Sequence, residues 1–456
     1  MCDNLRWTVR EGPIRSDTQL GSHQMGVDRV RVGLLGCGVV GGATARILIE
    51  HAEDLAQRSG AAIEIGRVAV RSLSKARDVE LPREFWTTDP WEVVNDPSIH
   101  VVVEAIGGIE PARDLILEAL KSGKHVVTAN KELLSTLGRE LMDAAESSSV
   151  DLLFEAAVAG GIPIIRPMKE SLAGDRVRRV MGVVNGTTNF ILTRMSETGG
   201  SFAEALAEAE QLGYAEMDPT ADIEGFDAAA KLAILASIAF NARVVAGDVH
   251  REGIAHLTPA DMKAAHDLGY EVKLLAVAEI HDGQVSARVH PSMLPNTHPL
   301  AAVRDVFNAV FVEADEVGEL MFFGRGAGAG PTGSAVVGDL VEIARNLRNG
   351  TRGIGCTCYH DRARIRPQDE TRVRYYVVLS VLDQPGVLSA VAGLFAKHGV
   401  SIASVRQEGT GEEAMLALIT HVATEGQHNA TFNELDTLDT VRSIASRLRV
   451  EGTGEE

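Results

Sequence analysis

The chain has 456 residues, enough for about three domains at roughly 150 residues each. Its 44 Lys and Arg stand against 63 Asp and Glu, a formal net charge of −19, which argues against non-specific nucleic-acid binding. A hydrophobic fraction of 45 % excludes disorder of the whole chain, and four cysteines exclude a disulfide-built scaffold and point to a reducing, cytoplasmic location.

Residues 1–27 are polar, lack the apolar core of a signal peptide, and read as a mobile extension. VRVGLL (30–35) reads as a buried strand ending at glycines, and Ala43–Leu55 as a helix with Ala43, Ile47, Leu48 and Leu55 on one face. Further strands are predicted at 65–72, 100–108 and 124–129, with a helix from about Pro111 to Lys121. This alternation predicts an α/β, doubly wound Rossmann-type domain over 28–152, rejoined by 324–348. LLFEAAVAGGIPII (152–165) reads as a strand breaking into a Gly-rich loop.

From 153 to 323, strands (VRRVMGVVNG, VKLLAVAEI) and helices (AEALAEAEQLGYA, DAAAKLAILASIAF) mix without a βα repeat, which predicts an α+β substrate domain. The most apolar stretch, 228–240, is shorter than the ~20 residues of a membrane span and is interrupted by Lys231, so no membrane association is expected. Residues 349–371 are rich in Arg, Gly and Asp and read as a linker. Cys356 and Cys358 within it are too few for a zinc site and read as a pair without metal. A βαββαβ pattern over 372–452, with the two middle strands VSIASVRQ and EAMLALITHV, predicts a ferredoxin-like unit.

Gly36-Cys37-Gly38-Val39-Val40-Gly41 is a GxGxxG motif between a predicted strand and a predicted helix. Gly36 suits a tight turn, Gly38 close approach of a pyrophosphate, and Gly41 close packing of helix on strand. Val39 and Val40 open the helix whose free N–H groups face the anion. After the second strand come Arg71, Ser72 and Lys75 where an acidic residue often meets the ribose hydroxyls of NAD. A cation there pairs with a 2′-phosphate, so NADP is expected, with NAD tolerated. Lys131, in TANKELL, follows the fourth strand and is placed to face the nicotinamide end or the substrate, although spacing alone favours a surface lysine.

The segment 209–231 gathers Glu210, Glu216, Asp218, Asp222, Glu224, Asp227 and Lys231. Asp227 and Lys231 are i and i+4 on a predicted helix that continues apolar on nearly all sides. Such a lysine serves as a proton donor, or as one half of a salt-bridged helix start. NGTTN (185–189) reads as a helix cap with Thr187 or Thr188 at the N-cap.

Ala209, Gly213, Tyr214, Ala215, Asp218, Pro219, Asp222, Ile223, Gly225, Asp227 and Lys231 together meet a family pattern, and the chain resembles the homoserine dehydrogenases. GCGVVGG, VVEAIGG, TANKELL, FEAAVAGGIPII, VNGTTNFIL and GRGAGAGPTGSAVVGDL support the resemblance in family order from about 30 to 345. It implies reduction of L-aspartate 4-semialdehyde to L-homoserine by NAD(P)H, in the route to threonine, methionine and isoleucine. Lys231 then matches the proton donor and Lys131 a second active-site lysine touching the cofactor. Glu216 and Asp227 match substrate-holding residues, with Asp222 a further site carboxylate. Gly213 and Gly328 match cofactor-contacting turns. The resemblance also implies a monovalent cation, usually sodium, at Glu155, Val158, Gly160 and Ile162, and a homodimer or homotetramer with 153–323 as the substrate-binding and dimerisation domain.

DQPGVLSAVAGLFAKHGVSI (383–402) resembles an ACT domain, with Asp383, Pro385 and Gly386 at its first strand–helix turn. The resemblance implies a monofunctional enzyme with threonine as feedback inhibitor, or an ACT unit used for assembly alone. A non-catalytic amino-acid sensor, or an oxidoreductase for another amino aldehyde, are the alternatives.

Overall fold

The structure, a computed structural model, describes residues 27–409 and 414–452. The extension assigned to 1–27 therefore lies, apart from Val27, outside the described residues, as does Glu413 at the start of EAMLALITHV.

Six parallel strands open the fold: β1 Arg29–Leu35, β2 Ala62–Ala69, β3 Trp86–Thr87, β4 Val101–Glu104, β5 His125–Thr128 and β6 Leu152–Leu153. Their order is β3-β2-β1-β4-β5-β6, a Rossmann-type sheet whose crevice opens where the order reverses, between β1 and β4. β4 and β5 are buried along their whole length, as in a parallel sheet covered on both faces. The helix Ala329–Asn349 returns to this unit and packs on the helix Val39–Glu50. A Cβ on Gly333 would stand 2.9 Å from the Cβ of Ala43, so glycine sets how closely the helices approach. Val336, Leu340 and Ile343 join the core of Val32, Leu34 and Val101.

Two local expectations are corrected here. The helix across Ala43–Leu55 breaks at His51 into Val39–Glu50 and Ala52–Ser59, and the bend keeps both Leu48 and Leu55 buried. The second strand ends at Ala69; the Val70 amide makes one more bond, to the Thr87 carbonyl at 2.9 Å, and Arg71 and Ser72 fall in the loop beyond.

The second sheet begins with β7 Val177–Val183, β8 His250–Arg251, β9 Tyr270–His281, β10 Gln284–Pro295, β11 Phe307–Ala314 and β12 Gly318–Arg325. It continues with β13 Arg372–Val381, β14 Ile402–Glu408, β15 Met415–Thr420, β16 Ala423–Thr424 and β17 Val441–Val450. The order β12-β11-β7-β9-β10-β17-β13-β15-β14 makes the C-terminal ferredoxin-like unit continuous with the sheet of the middle unit. The join is the parallel pairing of β10 with β17, Ser292 opposite Arg449 and Met293 opposite Val450. In β10 Ser286, Arg288, His290 and Ser292 alternate with apolar residues, the pattern of a strand with one face to water, yet all four are buried. Glu451, just past β17, accepts from Arg288 at 2.9 Å and makes that polar face compatible with burial.

Residues 349–371 are not a solvated linker. Tyr359 and Cys358 are buried, Cys356 and Cys358 are joined by a disulfide, and Ile365 bridges to Val285. Among the described residues no helix is long and apolar enough to cross a membrane.

Candidate active site

The GxGxxG turn is shaped for close approach. Gly36 has φ 98°, and a Cβ there would meet the Ala105 carbonyl at 2.8 Å. A Cβ on Gly41 would collide with the Gly36 carbonyl, whereas Gly38 faces open space. The helix starts at Val39 with no side-chain cap, leaving its first N–H groups for an anion, as a pyrophosphate requires. Val39 is exposed and Val40 packs against the core beneath. The chain thus fits a dinucleotide. Arg71 stands exposed just past β2. Arg77, which the sequence reading missed, donates to the carbonyls of Ser72 and Lys75, both at 2.7 Å, and folds this cationic loop.

At the ends of β4 and β5 the buried Glu104 accepts from the amides of Ile106 and Gly107, each at 2.9 Å, and from Thr128 Oγ1 at 2.6 Å. Thr128 Oγ1 in turn accepts from the Asn130 amide at 3.0 Å. Asn130 caps the helix Lys131–Ser147, its Oδ1 accepting from Leu133, and ties Gly108 through Nδ2 at 2.6 Å. This chain of bonds places Lys131 at the carboxyl edge of the sheet.

Lys131 Nζ lies 3.4 Å from Asp227 Oδ1, and Lys231 Nζ lies 2.7 Å from Asp227 Oδ2. Lys231 also donates to the Val184 carbonyl at 2.7 Å. Burial alone would raise the Asp227 pKa, but the two lysine charges outweigh it and hold the carboxyl below its usual value. Asp227 and Lys231 share one face of the helix Phe226–Ala239, whose remaining turns are buried. The two lysines thus come from different units and meet on one carboxylate.

Asn185 is the site residue that sequence reasoning missed. Its Nδ2 donates to Asp222 Oδ1 at 2.6 Å and to Asp227 Oδ2 at 2.8 Å. Its Oδ1 accepts from the Thr188 amide at 2.9 Å, so Asn185, and neither Thr187 nor Thr188, is the N-cap of the helix Gly186–Thr198. The cap position precedes the threonines because β7 delivers Asn185 in extended conformation. Thr187 Oγ1 instead donates to the Tyr214 carbonyl at 2.8 Å and anchors the loop that carries Glu216. Glu216 stands exposed on that loop, and Gly213 makes its turn with φ 73°.

Gly328 has φ 113° and precedes the helix Ala329–Asn349. Its loop abuts the turn at Ala159 (φ 53°) and Gly160 (φ 48°). The Glu155 carboxylate accepts three amides, from Ile164 at 2.6 Å, Ile165 at 2.8 Å and Arg166 at 2.9 Å. With the side chain so engaged, a cation here would be held by main-chain carbonyls. Asp383, Pro385 and Gly386 lie together before the helix Val387–Lys397; Pro385 and Gly386 line a cavity of about 210 Å³ with Gln384 and Gln407.

A dinucleotide crevice with two lysines and a buried carboxylate at its edge defines a dinucleotide-binding oxidoreductase. Residues 163–341 match the homoserine dehydrogenase family model, 36–155 the homoserine dehydrogenase NAD-binding domain, and 375–439 the ACT domain. A homoserine dehydrogenase of Mycobacterium tuberculosis is 53% identical over 436 residues, covering 93% of this chain and 98% of that protein. The structure of a homoserine dehydrogenase from Thiobacillus denitrificans aligns with TM-score 0.88 at 42% identity, covering 94% of this chain and 100% of that one. A hyperthermophilic archaeal homoserine dehydrogenase in complex with NADPH aligns with TM-score 0.59 at 28% identity, over 69% of this chain and 97% of that chain. The chain belongs to the homoserine dehydrogenase family.

Proposed function

We propose that the chain reduces L-aspartate 4-semialdehyde to L-homoserine, preferring NADPH and tolerating NADH. The observation that carries this reading is the convergence of Lys131, Lys231 and Asn185 on Asp227 at the mouth of the crevice. When bound, the dinucleotide supplies the hydride that reaches the aldehyde carbon. Lys231 has three N–H donors; two are taken by Val184 and Asp227, leaving the third for the carbonyl oxygen as it gains charge. Lys231 gives that oxygen its proton, and Asp227 keeps the lysine oriented. Lys131 adds positive charge on the cofactor side. Glu216 and Asp222 bind the substrate, Glu216 through its ammonium group. Arg71 favours a 2′-phosphate, in keeping with the NADPH bound by the archaeal relative.

Main-chain carbonyls of Glu155, Val158, Gly160 and Ile162 would hold a sodium ion, a hard cation suited to oxygen donors. Its role is structural, bracing the turn against the Gly326–Gly328 loop. The ACT turn at Asp383, Pro385 and Gly386 receives threonine as feedback inhibitor, its carboxylate meeting the free amides of the helix Val387–Lys397. The enzyme works in the cytoplasm as a homodimer or homotetramer, in the pathway to threonine, methionine and isoleucine.

The test is NADPH oxidation by the pure full-length protein with aspartate semialdehyde, with and without millimolar threonine. Turnover suppressed by threonine is expected. Turnover indifferent to threonine overturns the regulatory assignment, and absence of turnover with NADPH and NADH overturns the catalytic one.

A further inference from the structure

The segment Cys356–His360 touches two helices at once. Thr357, between the two bonded cysteines, donates from Oγ1 to Asn241 Oδ1 at 2.8 Å. Asn241 sits just beyond the helix Phe226–Ala239, in the left-handed region with φ 47°. Tyr359, 1% exposed, lies against Gly138, where a Cβ would come within 2.6 Å of its ring. Gly138 follows the kink of the helix Lys131–Ser147 at Leu137 (φ −117°, ψ 15°). His360 Nε2 reaches Glu146 of that helix at 3.1 Å.

These two helices carry Lys231 and Lys131. Gly138 is seven residues from Lys131 and Asn241 ten from Lys231, so the segment acts about 10 and 15 Å along the helices from the lysines. Main-chain bonds from Arg243 to Asp361 at 2.6 Å and from Ala363 to Arg243 at 3.0 Å tie the segment to the chain four residues beyond the helix Phe226–Ala239. Cys358 is buried under the turn, while Cys356 is half-buried beside a cavity of about 260 Å³ that Glu146, Ile354, Thr357 and His360 also line. One sulfur is thus reachable, and the other is locked into the packing against both helices.

We propose that Cys356–Cys358 is a reversible dithiol–disulfide site whose state sets how the two lysine-bearing helices meet; its effect on turnover rests on the dehydrogenase reading above. In the reducing direction the thiolate of an external dithiol attacks Sγ of Cys356, and the protein disulfide breaks. Cys358 leaves as a thiolate and takes a proton. The second thiol of the reductant then displaces Cys356, giving two protein thiols and an oxidised reductant, a two-electron exchange. The oxidising direction is the reverse, with a disulfide compound as acceptor. The bonded turn seats Thr357 and Tyr359; the open dithiol releases them, and the helix pair loosens.

The experiment compares the full-length protein equilibrated in reduced and in oxidised dithiothreitol. Mass spectrometry after alkylation reads the thiols, thermal denaturation reads the brace, and NADPH oxidation with aspartate semialdehyde reads the site. Expected are one alkyl group each on Cys356 and Cys358 in the reduced protein and none on either in the oxidised protein, a thermal midpoint several degrees higher in the oxidised protein, and turnover about threefold or more lower when reduced. The Cys356→Ser/Cys358→Ser variant, which keeps Cys2 and Cys37, is expected to show the reduced behaviour in both conditions. Two free thiols at these positions under oxidising conditions, equal midpoints and rates in both states, or a variant that still responds would each overturn the proposal. Mass and midpoint do not depend on the substrate, so failure of the proposed reaction is separable from failure of the switch.

Discussion

Arg449, in the last strand of the ACT unit, grips Glu252 of the catalytic unit through two hydrogen bonds, Nη1 at 2.9 Å and Nη2 at 2.7 Å. The same guanidinium donates from Nε to the buried Glu425 at 2.5 Å. Glu252 bonds through its amide to Val289 at 2.8 Å, and two residues on, Ile254 bonds to Ile223 at 3.0 Å, beside Asp222. A continuous set of bonds therefore leads from the ACT sheet to the carboxylates of the site.

Removing the cation leaves Glu425 buried without its charge partner. Arg449→Met is expected to destabilise the protein by about 3 kcal/mol, the scale for breaking a buried ion pair. Glu252→Gln, at a half-exposed partner, is expected to cost much less. Chemical denaturation of the two single variants and the double variant measures the coupling; equal effects of the two single changes would contradict the ranking.

His428 lies between Tyr375 and Phe432, and burial pushes its pKa down to about 4. The unfolded chain takes up a proton near pH 6.5 and the folded chain does not until about pH 4, so stability falls as pH drops through that window. The full loss by pH 4 is about 3 kcal/mol for such a shift. His428→Gln is expected to flatten the decline of the thermal midpoint between pH 6.5 and pH 4. His298, also pushed down to about 4 by burial and by Arg179, leaves a remaining slope of the same sign.

Lys231→Ala is expected to cut kcat by about 10²–10⁴, the loss typical of a positioned acid. Dinucleotide affinity, read by fluorescence titration, should barely move. Turnover near that of the unchanged protein would remove Lys231 from the proton-donating role. Lys131→Ala is expected to weaken dinucleotide binding as well as turnover, which separates the two lysines.

Asn185→Asp keeps an acceptor for the Thr188 amide but replaces the donor to Asp222 and Asp227 with a third carboxylate. The pKa of Asp227, held low in the native site, should rise. The acid limb of kcat/KM should therefore move to higher pH. Asn185→Ala loses the cap as well, at about 1 kcal/mol of stability, without adding that charge. A pH profile unchanged in Asn185→Asp would show that Asn185 serves the helix alone.

Arg71→Ala is expected to raise the Kd for NADPH about tenfold or more while leaving NADH within about twofold, because one charge-assisted contact to a phosphate is lost. Equal losses for both dinucleotides would remove the basis for the NADP preference.

The Rossmann-type crevice, the ferredoxin-like unit and the pairing of Asp227 with Lys231 are legible in the order of residues. Each rests on local rules: glycines spaced for a phosphate turn, apolar periodicity, and an i, i+4 relation on one helix. It took the folded chain to show that Lys131 reaches Asp227 across nearly a hundred residues, and that Asn185 spans two carboxylates while capping a helix. Folding likewise puts β10 in the core, packs 349–371 as a strap, and joins the ACT sheet to the catalytic sheet through β10 and β17. A buried polar strand is legible only with its partners in place. The charges that make Arg288 tolerable in the interior come from Glu279 and Glu451, one of them from the far end of the chain.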